Sequence, residues 1–195
     1  TEGASGPFTL GVMAGRNWYG GKPLANTVSA SLGRTFGLSP RTAVDVRLGA
    51  EHQARLDTAS RTAEVYSLSA RWLHESPGGD FWSAGARVAE TQSRSSSIDH
   101  RAVRLSLDYT RGQEIAGLRL GGGLAVESRD FALSPYSPDG REDLRLSGSV
   151  SAQFMQAGYL GFSPVLEVFA TRNRSNIALF DTRETGVRLS IRSSF

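Results

Sequence analysis

The feature that most limits this chain is an alternation of apolar and polar side chains, with a period of two, along its whole length. Val28, Ala30, Leu32 and Phe36 alternate with Ser29, Ser31, Gly33 and Thr35. Val44, Val46, Leu48 and Ala50 alternate with Asp45, Arg47 and Gly49. The pattern returns in Val103, Leu105, Leu107 and Tyr109 against Arg104, Ser106 and Asp108. It returns again in Leu144, Leu146, Val150, Ala152 and Phe154 against Arg145, Ser147, Ser149, Ser151 and Gln153. Successive side chains of a strand point to opposite faces, so this period predicts strands with unlike faces. No window holds the stripe of an amphipathic helix, and almost no helix is expected.

Ten strands are expected, over 7–19, 26–36, 42–55, 62–73, 80–92, 100–111, 115–128, 142–156, 163–174 and 184–195. Several exceed the usual strand of about five or six residues. They match the tilted strand of about 9–11 residues that crosses a bilayer. The whole chain, 1–195, reads as one domain. Totals alone suggest a soluble protein: 39% of residues are hydrophobic, and mean hydropathy is −0.27. Alternation reconciles the two, because only one residue in two would face lipid. No apolar run is long enough for a membrane helix. The absence of cysteine excludes disulfides and thiolate-bound metal. The net charge of +3 is mild, with no long basic run, so no nucleic-acid partner is expected. The chain starts at Thr1 with no visible signal peptide, as expected of a mature form, a processed product or an excised segment.

The polar faces are built from Ser, Gly, Thr and Ala punctuated by charges, which suits a narrow barrel interior. The apolar faces are Leu, Val, Ala and Ile, which suits a lipid-facing band. The expected fold is therefore an all-β, antiparallel transmembrane barrel of the bacterial outer membrane, complete or part of a larger barrel. Connections are expected to alternate, short turns after even-numbered strands and longer or more polar connections after odd-numbered ones. Both chain ends would then lie on the periplasmic side. Phe36, Trp72, Trp82, Tyr109 and Phe154, with Phe195, fall on apolar faces near the short turns and would form an aromatic girdle.

Interior candidates are Arg47, Arg71, Arg87, Arg104, Arg119, Arg145, Arg188 and Arg192, with Asp45, Asp108, Glu127 and Glu167. A basic lining would favour anions or an acidic client. Cross-strand ion pairing is the expectation for most of them. Gly121, Gly122 and Gly123 sit inside a strand and so are not a phosphate loop. They would permit a bend, or close packing against something in the lumen. His52 and His100 fall near the outer strand ends, near Asp57 and Asp99 in sequence, while His74 lies in a turn. Solvated histidines are expected there rather than a hydrolase. No enzyme activity, catalytic residue, cofactor or metal is expected.

The C-terminal region carries a more specific signal. Arg172, Asn173, Arg174, Ser175, Asn176, Phe180 and Asp181 form a polar motif that includes Ile177, Ala178 and Leu179 and is followed by Arg183. A last strand with Val187, Leu189, Ile191 and the terminal Phe195 on one face follows. Phe162, Ser163 and Pro164 precede the penultimate strand. These segments resemble the end of the surface lipoprotein assembly modifier (Slam) family, the outer-membrane component of type XI secretion. Thr182 stands where that family usually has Tyr. The resemblance implies an outer-membrane translocator that exports or displays client lipoproteins or small secreted proteins. It also implies a bilayer and the barrel-assembly machinery as partners, the latter reading the terminal strand. Family members carry a helical-repeat domain and a larger barrel; no such repeat is expected within this chain. The alternatives are a small porin-like or structural barrel and, third, a hydrolase at the rim.

Overall fold

The computed structural model describes residues 5–193. Ten strands follow one another in a single antiparallel sheet whose spatial order is the sequence order. They are β1 (Ser5–Tyr19), β2 (Lys22–Ser39), β3 (Thr42–Arg55), β4 (Ala63–Glu75), β5 (Phe81–Ser93), β6 (His100–Thr110), β7 (Leu118–Phe131), β8 (Arg141–Phe154), β9 (Phe162–Ser175) and β10 (Thr182–Ser193). The only helical turns among the described residues are two short 3₁₀ segments, Ala59–Arg61 and Ala178–Phe180. The all-β expectation and the number of strands are met. Strands β1 and β10 are the sheet's edges and do not pair with each other among the described residues.

The sheet is strongly curled. Arg71 of β4 shares a cavity wall with Glu184 and Arg188 of β10. In a flat sheet those strands would lie about 29 Å apart, at about 4.8 Å per strand. Arg55 of β3 likewise shares a cavity with Arg141 of β8 and Phe180. The inner, concave face is the polar one, and the architecture is β-barrel-like.

Register keeps the two faces apart. Val46, Ala70, Ala86, Leu105, Val126 and Leu146 lie directly opposite one another along one row. That row faces outward and continues into Arg172 and Arg183. The next outward row runs Leu10, Leu32, Leu48, Leu68, Val88 and Val103. These outer side chains have no second layer against them; Leu189 and Ile191 are each 74% exposed.

The apolar band crosses the rows obliquely. At one margin it ends at Glu64 on β4 but at Arg172 on β9. The row of Arg172 meets β4 at Ala70, six residues from Glu64. At the other margin it ends at Trp72 on β4 and at Phe154 on β8, six residues past Gly148 in the row of Trp72. Both margins slide the same way. At the first margin about 20 Å of slide over about 24 Å of sheet puts the strands at about 40° to the normal of the band, and at the second the same slide over about 19 Å gives about 46°. On β8 the band runs from Leu144 to Phe154, about 34 Å along the strand and about 26 Å in height.

The connections correct the expected alternation. Strands β1 and β2 are joined by Gly20 and Gly21 alone, where a longer connection was expected. Both have positive φ, 55° and 77°, the mirror-image turn whose twist suits a two-residue hairpin. Two connections after even strands, 111–117 and 155–161, are as long as 56–62 after β3. They end in tight turns of the same kind, at Ala116-Gly117 and Leu160-Gly161, all four residues having positive φ. Bridges Ile115–Leu118 and Tyr159–Phe162 close them. This explains why β7 starts at Leu118 rather than at 115. Below, the end of the sheet bearing 20–21, 56–62, 94–99, 132–140 and 176–181 is the loop end; the opposite end is the turn end.

The glycine run in β7 makes its close approach to the neighbouring strand. A Cβ on Gly123 would stand 2.6 Å from Asp108 Oδ1, and one on Gly121 would stand 3.1 Å from the carbonyl oxygen of Tyr109. The strand is continuous through all three.

Gly21 has open space around it, so its role is conformational alone. Gly21→Val should therefore cost about 1–2 kcal/mol. Gly20→Asn, which suits the first position of this turn, should be near neutral. Urea unfolding followed by tryptophan fluorescence reads both.

Candidate functional site: the arginine-bearing concave face

All eight interior arginines expected from the sequence fall on the concave face. One inward row reads Gly33, Arg47, Ser69, Arg87, Arg104, Glu127, Arg145 and Asn173 across β2 to β9. Arg71 lies one row away, opposite Asp45 and Gly85. Arg188 is opposite Glu167, and Arg192 is opposite Ser163. Arg119 is opposite Gln153.

The expectation that most would be ion-paired across strands is not met. Arg104 reaches Glu127 at 3.5 Å, and Arg188 reaches Glu167 at 2.8 Å, both across strands. Arg47 reaches Asp45 on its own strand at 3.6 Å. Arg71, Arg87, Arg119, Arg145 and Arg192 have no ion pair or hydrogen bond among the described residues. The physical reason is charge supply. Glu127 is shared between Arg104 and Arg129, the latter at 2.5 Å. Asp108 accepts from Ser83 at 3.2 Å instead of from an arginine. Two of these eight, Arg119 and Arg145, are tightly enclosed without a hydrogen bond at Nε, as is Arg141 of the loop end.

Glycines make room for these side chains. A Cβ on Gly33 would stand 3.2 Å from Arg47 Nε. A Cβ on Gly186 would meet the Phe169 ring at 2.6 Å, and that ring carries the Arg188 guanidinium at 5.1 Å from its centroid. Long inner side chains thus lie flat across the neighbouring strand. The cavity so left, about 460 Å³, is lined by Arg71, Arg104, Arg145 and Arg188 against Asp108, Glu167 and Glu184. A second, about 570 Å³, lies toward the loop end among Arg55, Arg61, Arg87, Arg129, Arg141 and His100.

At the loop end the concave face carries a stack that single-strand patterning did not reveal. The Arg141 guanidinium lies between Phe131, 3.5 Å from the ring centroid, and Phe180, at 4.0 Å. His100 stacks on the other side of Phe131 at 4.5 Å, and Tyr136 meets Phe180 edge-on at 5.8 Å. Arg141 also faces Asp143 at 3.4 Å.

The C-terminal motif supports this stack. Asn173 Nδ2 donates to the carbonyl of Phe180 at 2.9 Å. Asp181 accepts from the backbone N–H of Ser175 at 2.7 Å. Ser175 Oγ accepts from the N–H of Ile177 at 3.2 Å. Asn176 accepts from the N–H of Glu142 at 2.9 Å and donates to the carbonyl of Gly140 at 3.4 Å, tying 176–181 to 132–140. Arg172 and Arg174 take no part: they point outward.

The histidines do not pair with Asp57 or Asp99, the carboxylates near them in sequence. His52 Nδ1 is 2.6 Å from Glu64 Oε1 on the convex face. His100 Nδ1 is 2.8 Å from the carbonyl of Ile98. His74 Nδ1 is 2.9 Å from Thr42 Oγ1, and its ring stacks on Trp72. Asp57 is held by Arg55 through two 2.9 Å contacts, which keep its carboxyl below the usual range. Asp99 accepts from the N–H of Ser93. No cluster of three metal-ligating side chains exists among the described residues.

Phe36, Trp72, Trp82, Tyr109 and Phe154 all lie on the convex face toward the turn end. Trp82 and Tyr109 touch, with centroids 4.5 Å apart. Asp80 accepts from the Tyr109 hydroxyl at 3.1 Å and from the N–H of Gly112 at 2.9 Å, joining two turns. Arg34 lies over Phe8 and Phe36 at 4.8 and 5.4 Å. Phe162 belongs to the same margin, although the sequence placed it in the C-terminal resemblance and not in the girdle. Val187, Leu189 and Ile191 are outward and exposed on β10; Phe195 lies outside the described residues.

Comparison with protein-family models, with curated proteins and with solved structures finds no match for this chain.

The stack on Arg141 should hold 132–140 and 176–181 against the sheet. Phe180→Ala should raise proteinase K cleavage within these two segments several-fold, a loss of about 1 kcal/mol of the packed state. Arg141→Lys should do the same, because an ammonium does not stack flat between two rings.

Proposed function

We propose that this chain forms the wall of a bacterial outer-membrane barrel, and that its basic concave face guides acidic or anionic material across that membrane. The observation that carries the reading is the oblique apolar band. Its height of about 26 Å and its strand tilt of about 40–46° match the lipid-facing belt of outer-membrane barrels, about 25 Å and 35–45°. The aromatic residues at the turn-end margin supply one interfacial girdle, and Glu64, Glu90, Arg101, Glu142 and Arg172 mark the other margin. No helix among the described residues is long and apolar enough to cross a membrane, so any crossing is made by strands.

The likeness of 172–181 and of the last strand to the Slam family points to a polypeptide as the transported material: a client lipoprotein or small secreted protein. In that reading the unpaired Arg71, Arg87 and Arg145 offer guanidinium groups to acidic side chains of the client in transit. The outward Val187, Leu189 and Ile191 belong to the strand that the assembly machinery would read. A second reading, a porin-like anion pathway, is favoured by the same unpaired arginines. Reconstituted vesicles separate the two. Protection of a co-reconstituted client from external protease supports export; an anion-selective current without client movement supports a pore.

The membrane reading has its own test. Leu105 lies in the middle of the band facing out, and Ser106 is its inward neighbour. Leu105→Arg should cost about 2–4 kcal/mol of stability in phospholipid vesicles. Ser106→Arg should cost much less. Equal effects in urea titrations of vesicle-folded protein would remove the distinction between a lipid face and an interior.

If ions pass, replacing Arg71, Arg87 and Arg145 together with Ser should move the reversal potential in a potassium chloride gradient toward zero. The measurement is made in planar bilayers.

A further inference from the structure

The geometry points to a lipid-phosphate site on the convex face at the loop end, formed by Arg172, Arg174 and Arg183, an inference that rests on the membrane placement proposed above. Arg172 and Arg183 are direct cross-strand partners on β9 and β10. Arg174 is two residues along β9 on the same face. Directly opposed side chains stand about 5 Å apart, and same-face neighbours along a strand about 7 Å. Like charges in that relation repel; the nearest outward carboxylate, Glu142, stands diagonal to Arg174 and forms an ion pair with none of the three. None of the three has an ion pair or hydrogen bond among the described residues, and all three are exposed. The rest of the polar motif is committed to holding the loops, so these arginines are what the fold leaves over.

What lies beside them identifies the ligand. Arg172 is opposite Leu146, and Arg174 is opposite Leu144; Val168 and Val187 continue the apolar band toward the turn end. The three guanidinium groups therefore stand at the edge of an apolar surface, where a lipid headgroup meets its acyl chains. Guanidinium groups donate in a planar fork that matches phosphate oxygens. Three cations within about 7 Å complement more negative charge than one phosphodiester carries. A zwitterionic headgroup would bring a repelled ammonium as well. The ligand is accordingly a membrane lipid bearing phosphomonoester groups, with lipid A as the probe.

The test uses the full chain folded in phosphatidylcholine bicelles. Lipid A, dephosphorylated lipid A and inorganic phosphate are titrated separately, and bound lipid is read by native mass spectrometry. Lipid A should bind, its dephosphorylated form should bind about tenfold more weakly, and inorganic phosphate should not compete at equal concentration. Arg172→Gln, Arg174→Gln and Arg183→Gln together should reduce lipid A binding about tenfold or more. Arg101→Gln, at the same margin of the convex face but on β6 between Glu90 and Asp130, should change nothing. Equal binding by the triple variant, or by dephosphorylated lipid, overturns the inference, and competition by free phosphate overturns the lipid as its source. If the triple variant does not fold, Arg172→Gln alone, which relieves a like-charge contact, supplies the comparison. Failure of the chain to insert into phosphatidylcholine at all overturns the membrane reading; insertion without a lipid preference overturns only this site.

Discussion

An apolar sheet face needs an apolar neighbour, and the described residues provide none. Sandwiches and α/β folds cover such a face with a second layer. Here ten strands make one layer, and the outward leucines and valines meet nothing from the chain. The accessible surface, 12984 Å², shows the size of the mismatch: a compact monomer of 20.9 kDa would expose about 9,000 Å². Buried hydrophobic residues are few and mostly small, Ala25, Ala63, Ala125, Phe131 and Val165. The concave face, the tilted band and the displacement of charges to its margins all follow from that arrangement. The stability of the sheet then depends on its backbone ladder and on what surrounds it, far more than on a core.

The strands were legible because period two writes itself directly into sequence. The outward position of Leu105 and the inward position of Arg104 need no tertiary information. Strand β3 was read to the residue, since Val44 to Ala50 alternates without interruption and the strand-like run continues to Arg55. The tight turns were less legible. Gly20-Gly21 lies among other small and polar residues, and Ala116 and Leu160 are not residue types that announce positive φ. Pairing of charges was not legible at all. Whether Arg87 meets a carboxylate depends on which residue stands opposite, and that residue is Arg104. The stack at Arg141 joins Phe131, Phe180 and His100 from three different parts of the chain, which no local pattern could unite. The motif at 172–181 was visible as a unit, but its division into inward loop ties and outward arginines appears only once the strand face is fixed.

The concave face shows how a narrow interior accommodates long side chains. Arg47 lies over Gly33, Asp108 over Gly123 and Phe169 over Gly186. In each case bulk on one strand is matched by its absence on the next. Filling any of these glycine sites would push a long side chain off the wall. Interior volume and charge are thus set together, by pairs of residues on adjacent strands.

The sheet order carries a consequence for how such a structure comes into being. Every strand pairs only with its chain neighbours, so each hairpin can add to the one before it without waiting for distant sequence. The entropy lost at each addition is that of a short loop, which is small and nearly constant. Any joining of the β1 edge to the β10 edge has a different character: it brings together segments separated by almost the whole chain. Until it happens, two rows of backbone donors and acceptors stay open to whatever strand arrives first. Assembly of this sheet therefore divides into many cheap local steps and one slow, competitive step at the edges, and it is at that last step that a catalyst or a competing chain would have the most influence.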